Sequence, residues 1–189
     1  MMRVQLSIRT VLVALCSLSA PPLQAQSAGI PVKNLAWADR LTWGVEGSAA
    51  SRGGTAPDAG RWLDVQLRAG PGALPPDAQR QVDAMRIVRE PMAQLVVEED
   101  SAIRAANAMT DPDQRKAARD AYQKDMNALA DEARARSILR ALYGPDQLRE
   151  QMTWFWFNHF NVHAPKRDVR AMVGDYEDTI HARALGKFR

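Results

Sequence analysis

Cysteine is all but absent. The single one, Cys16, sits in an apolar stretch near the N-terminus, and the rest of the 189 residues have none. Disulfides, thiolate metal sites and cysteine nucleophiles are therefore excluded from the remainder of the chain. Histidine is scarce too, with three, so imidazole chemistry rests on His159, His163 and His181. Strict apolar/polar alternation, the mark of a half-buried strand, does not occur. A Gly-rich phosphate loop, a G-x-S-x-G elbow and EF-hand spacing are also missing. Residues 51–55, SRGGT, have the glycines of an anion nest, but they follow no strand and lack the P-loop lysine, so they read as a loop.

What is present begins with a leader. Arg3 and Arg9 form a positive segment without an acid, and residues 10–20, TVLVALCSLSA, form an apolar core. That core is too short for the ~20 residues of a membrane-spanning helix. Pro21, Pro22 and small residues follow, with Leu23-Gln24-Ala25 as the cleavage site of a secretory signal over residues 1–25. Lipidation of Cys16 wants a small residue just before it, and Leu15 stands there, so Cys16 reads as a small hydrophobe of the leader. The formal charge of +3 is largely the leader's; without residues 1–25 the chain holds 23 basic and 22 acidic residues. Net charge then gives no reason to expect nucleic-acid or anionic-membrane binding. The expected protein is exported, periplasmic or extracellular, with no transmembrane segment after cleavage.

The rest reads as helix after helix. Residues 32–47 form a short helix ending at Gly44, and residues 48–60 a loop. Residues 61–67, RWLDVQL, make a compact helix burying Trp62, Leu63 and Leu67. A Gly/Pro connector over 68–77 precedes a helix behind Pro75-Pro76. Residues 90–109 place Met92, Leu95, Val96, Glu99 and Ile103 along one side. A long element opens at Asp111, a cap with Pro112 in the first turn and Gln114 as the far side of a capping box. It runs to Gly144-Pro145, an αL-tolerant residue followed by a breaker. Tyr122, Met126, Leu129 and Ala133 are its buried stripe, and its narrow, Ala-rich apolar face allows part of it to stand in solvent. Residues 146–162 and 169–185 are two further helices, the latter capped by Asp168 and stopped near Gly186. The fold class is all-α, an irregular multi-helix array with one long helix; residues 26–189 form one helical unit.

Residues 150–165, EQMTWFWFNHFNVHAP, concentrate the chemistry. His159 and His163 stand at i,i+4, the spacing that puts two imidazoles on one helix face, but the glutamate of an HEXXH zinc motif is missing. Glu177 and His181 share the same spacing one helix later. If the last two helices are antiparallel, His159, His163, Glu177 and His181 are the candidate metal ligands. Asn158 and His159 are the candidate catalytic pair, because an ionisable group in an apolar helix is costly unless used or paired. The run Trp154–Phe157 is apolar on every side of a helix and reads as buried all round. A flat sugar-stacking platform is excluded, since consecutive residues point ~100° apart. Lys166, Arg167 and Arg170 precede a helix start, where an anion is favoured.

Four stretches then carry a resemblance: ADRLTWGVEG (38–47), RWLDVQL (61–67), LREQMTWFWFNHFNV (148–162) and MVGDYEDTIHARALGKFR (172–189). In this order they resemble the start of the exported bacterial domain-of-unknown-function 1800 family, most specifically at Phe155, Trp156, Asn158, His159 and Phe160. The resemblance implies no activity, so no catalytic residue or cofactor is carried over. It also implies that the chain is the truncated N-terminal part of a longer helical domain. Two functional expectations follow. One is a helical scaffold or binding protein of the periplasm or cell surface. The other is a hydrolytic or metal-assisted enzyme whose site around Asn158 and His159 is completed by a missing C-terminal region. N-terminal sequencing after expression in a Gram-negative host checks the leader, with Gln26 the expected first residue.

Overall fold

The structure, a computed structural model, describes residues 40–43, 59–160, 162, 166 and 169–187. From Ala59 onward the described residues form seven helices in order: α1 Ala59–Arg68, α2 Pro76–Asp83, α3 Arg86–Arg89, α4 Met92–Ala108, α5 Pro112–Tyr143, α6 Gln147–His159 and α7 Val169–Arg183. There is no strand among the described residues, so the all-α expectation holds. No described helix is long and apolar enough to cross a membrane. Arg40 and Leu41 are helical, but Thr42 and Trp43 already form a bend, ahead of the expected stop at Gly44; residues 32–39 and 44–47, the 51–55 loop and the Asp168 cap lie outside the described residues.

Local chemistry accounts for most boundaries. Pro76 occupies the first turn of α2 and Pro91 immediately precedes α4, where a missing N–H costs nothing. Asp111 caps α5 as expected, its Oδ1 accepting from Asp113 N at 2.8 Å and Gln114 N at 2.9 Å. The far end of α5 differs from expectation. Gly144 is extended, with φ −66° and ψ 140°, because the ring of Pro145 drives the preceding residue to that region rather than to αL.

The core lies where α4, α5 and α7 meet, at Leu95, Tyr122, Met126, Leu129 and Ala171, flanked by Ile87, Val96 and Ile103. The predicted α5 stripe is buried, and it runs one step further to Arg136. From Pro112 to Ala121 no residue of α5 is buried, so the first turns of the long helix stand largely in solvent beside α4. In α1 the expected set is partly wrong: Trp62 is buried, but Leu67 is 53% exposed and Gln66 takes its place inside.

Gln66 is inside because it finishes another helix. Asp146, an ordinary N-cap residue, makes no cap bond to α6; its carboxylate instead accepts from Gly72 N. Gln66 Oε1 supplies the missing acceptor to Leu148 N at 3.1 Å, and its Nε2 donates to Pro145 O at 3.0 Å. Gln147 closes the corner, donating to Ala141 O and Gly144 O and accepting from Trp43 N. Gln66 thus satisfies the buried start of α6 from a distance, and Gln147 the last carbonyls of α5 and the N–H of Trp43, as buried backbone groups require.

A second polar cluster joins α3, α4 and α5. Arg86 reaches Glu90, Glu98 and Asp125, which holds its guanidinium above its ordinary range. Buried Glu99 lies beside this group. Burial first, and then the hydrogen bond to Asp125 and its repulsion, push Glu99 up from 4.5 to about 7; Arg86 and Glu98 are the other charges acting on it. A carboxyl whose folded pKa is raised binds its proton more tightly when folded, so its contribution to stability is complete below about 4.5 and lost as pH rises through about 7. Stability of the chain should therefore fall between about pH 5 and pH 8, and Glu99→Gln should flatten that fall; urea unfolding midpoints of both proteins across this range check it.

Candidate functional site

The polar start of α6 fixes what its aromatic end can do. Gln147, Leu148, Arg149, Glu150 and Thr153 are buried, while Trp154 is 56% exposed, Phe155 48% and Phe160 51%. The expectation that 154–157 is buried all round is thus corrected. Trp156 and Phe157 are half-buried, with Trp156 Nε1 donating to Ala184 O at 3.2 Å. The second half of the helix overhangs its neighbours, so a run that is apolar on every side keeps part of its surface in water.

The overhang roofs a groove of about 530 Å³ between α5, α6 and α7. Ala130, Ala133, Ile138, Ala141 and Leu142 line it from α5, at spacings that keep them on one face. Trp154, Phe157 and Asn158 line it from α6 and Val173 from α7. Trp43 stands edge-on to Trp154, ring centroids 5.8 Å apart, and forms the remaining wall.

Two buried carboxylates, Glu150 and Glu177, also line this apolar space. Glu177 is held from both sides: Ser137 Oγ donates to Oε1 at 2.5 Å and Arg136 Nη2 to Oε2 at 3.3 Å. Arg136 also donates to Asp178 at 2.8 Å and to Gly174 O at 2.7 Å, and Arg140 reaches Asp178 at 2.9 Å. Glu150 Oε1 lies 2.7 Å from His181 Nε2. With Glu150 as a carboxylate, which only accepts, the His181 nitrogen is the donor of this contact. Arg149, next in sequence, spends its guanidinium on the carbonyls of Ala69 and His181.

The candidate residues from the sequence therefore separate. Glu177 and His181 share a face of α7 as expected, but they turn to different partners. His159 is exposed at the end of α6, with Phe155, Trp156 and Phe160 as ring neighbours. Helix α6 ends there, and His163 lies outside the described residues. Among the described residues no group of three His, Cys, Asp or Glu side chains gathers as a metal site. Asn158 is exposed on the groove, its Nδ2 donating to Trp154 O at 2.7 Å. Of the basic trio, Lys166 is exposed, Arg167 lies outside the described residues, and Arg170 is buried, donating to Asn127 and Gln123. Sequence reasoning missed Arg136, Ser137 and Glu150. Arg136 continues the buried 122–126–129–133 register, and Glu150 shares a register with Trp154 and Phe157. A charge at an apolar-face position was the available signal in both cases.

A family model described as a protein of unknown function (DUF1800) matches residues 36–189. The chain belongs to the DUF1800 family. The match spans all seven helices and every groove residue named above. No curated protein and no solved structure matches the chain. Family membership supplies no activity.

The Arg136–Glu177 pair predicts its own energetics. Arg136→Met leaves Glu177 buried beside a thioether and should cost ~3–5 kcal/mol of stability, because an uncompensated buried charge remains. Arg136→Met with Glu177→Met removes both charges and should recover most of that loss in the same denaturant titration.

Proposed function

We propose that this protein is an exported helical binding protein whose α5–α6–α7 groove takes an apolar ligand. One observation carries the reading: the groove is walled by alanines and rimmed by large apolar side chains in water. Trp43 is 42% exposed, Ile138 57%, Leu142 49% and Trp154 56%, and all four line the same space. Contiguous exposed apolar surface of this kind is a mark of a binding site. The volume also lies within the ~300–1,000 Å³ of small-ligand sites, which combine apolar walls with a few placed polar groups. The leader over residues 1–25 supports export, to the periplasm or the cell exterior.

The Glu150–His181 pair favours a second reading, in which the ligand is a substrate and the pair moves a proton, as in hydrolysis. Asn158, at the groove, would orient the reacting group; His159 sits among aromatic rings beside it. Turnover of a panel of apolar esters and amides by the wild-type chain, abolished in His181→Gln, distinguishes this reading from simple binding.

The binding reading makes a direct prediction. Ala141 is half-buried on the groove wall, so Ala141→Phe fills the space without cutting into the α4–α5–α7 core. The wild-type chain should enhance the fluorescence of the uncharged probe N-phenyl-1-naphthylamine, and Ala141→Phe should weaken that binding by about tenfold with its thermal midpoint little changed. Equal probe binding by both chains would remove the groove from consideration.

A further inference from the structure

We propose that the groove's ligand is an amphipathic amine, its apolar body along the α5 wall and its ammonium group on Glu150. This inference rests on the reading of the groove as a binding site and names the chemistry of what it binds.

The argument starts from the acceptors. Glu150 is 8% exposed and faces the groove. Its Oε1 is taken by His181, and among the described residues no donor reaches Oε2. The fully enclosed side-chain atoms without a partner, among the described residues, are Arg136 Nε and Arg149 Nε. Glu150 Oε2 is not one of them, and Glu150 lines the groove. A carboxylate oxygen only accepts, so whatever meets it must donate.

The other charges on the groove are already matched. Both oxygens of Glu177 are occupied by Ser137 and Arg136. Arg136 and Arg140 with Glu177 and Asp178 make two cations against two anions. Arg134 is an exposed lining residue already paired with Asp131. Arg149 is tied to two backbone carbonyls rather than to the neighbouring carboxylate. Among the described residues one carboxylate oxygen is therefore left open, in a space otherwise walled by Ala130, Ala133, Ala141, Val173 and Phe157. A ligand with an anionic head would meet two buried carboxylates, while the lining cation, Arg134, lies out in solvent and paired with Asp131. A ligand with an ammonium head finds a charge-assisted hydrogen bond at Glu150 and apolar contact along the rest of its length.

Decylammonium, 1-decanol and decanoate, each below its micelle-forming concentration, are titrated into the full chain and followed by tryptophan fluorescence and calorimetry at pH 7. Decylammonium is expected to bind about tenfold more tightly than decanol, and decanoate more weakly than either. In Glu150→Gln the amide keeps an acceptor for His181 and turns an N–H toward the groove. Decylammonium should then fall to the level of decanol while decanoate gains. If the three ligands bind the wild-type chain alike, or Glu150→Gln leaves their order unchanged, the amine assignment is overturned and the groove reading survives. If none of the three binds, the groove reading falls and takes the assignment with it. The order on the wild-type chain decides the matter even where Glu150→Gln does not fold.

Discussion

Arg136 is the charge around which the C-terminal half of this chain is assembled. It is 1% exposed, and taking a guanidinium that far from water costs several kcal/mol unless its donors are met. They are met almost wholly by α7, through Glu177, Asp178 and the carbonyl of Gly174. At Gly174 a Cβ would press on Ile87 Cδ1 at 3.2 Å and meet Arg136 Nη2 at an ordinary 3.6 Å, so the glycine serves the Ile87 packing rather than the guanidinium. Once α7 is fixed on α5, His181 stands one turn beyond Glu177 and reaches Glu150. The position of α6 follows from that contact. Arg136 Nε remains without a partner among the described residues, a residual cost of placing a forked cation in a two-helix seam.

Helix α6 inverts the usual sorting of side chains along its length. Its first half is polar and buried, its second half aromatic and largely exposed. The buried half is tolerable because nearly every polar group in it is answered. Gln147 makes three hydrogen bonds, Arg149 two, and Thr153 Oγ1 donates back to Arg149 O at 2.8 Å. A fully satisfied polar network loses little by leaving water. The exposed half has no such compensation, and its surface is apolar area left uncovered. The two halves are linked mechanically: the buried network clamps the helix start against α1 and α7, and that clamp holds the aromatic end out over the groove.

Much of the fold was legible from local rules, because those rules depend on neighbours in sequence. The Asp111–Pro112 start, the register of Tyr122, Met126, Leu129 and Ala133, and the solvent-exposed first turns of the long helix all follow from spacing and capping. What was not legible depends on where neighbouring helices stop. Four consecutive apolar residues at 154–157 read as buried on every side, yet exposure is set by how far α5 and α7 extend past them. The polar residues failed in the opposite sense. Gln66, Gln147 and Arg149 look like surface groups, and they are inside because each satisfies a backbone group far away in sequence. Of the candidate site, Glu177 and His181 were found by their spacing. Their partners were not, because a helix periodicity says which residues share a face and nothing about what that face meets.

The same argument separates what identifies this chain from what gives it chemistry. The stretch that most resembles the family, Phe155 to Phe160, lies in the overhanging half, where Asn158 is spent on its own helix and His159 on aromatic neighbours. On the proposed reading, the groups that would act on a ligand lie earlier in the helix and on the next one, at Glu150 and His181. An aromatic overhang can persist as a shape, since many apolar side chains would cover the same surface. A carboxylate buried with one open oxygen is harder to maintain, because its desolvation is costly unless something periodically donates to it. That asymmetry is why the proposed ligand chemistry is placed on Glu150 rather than on the histidine among the aromatic rings.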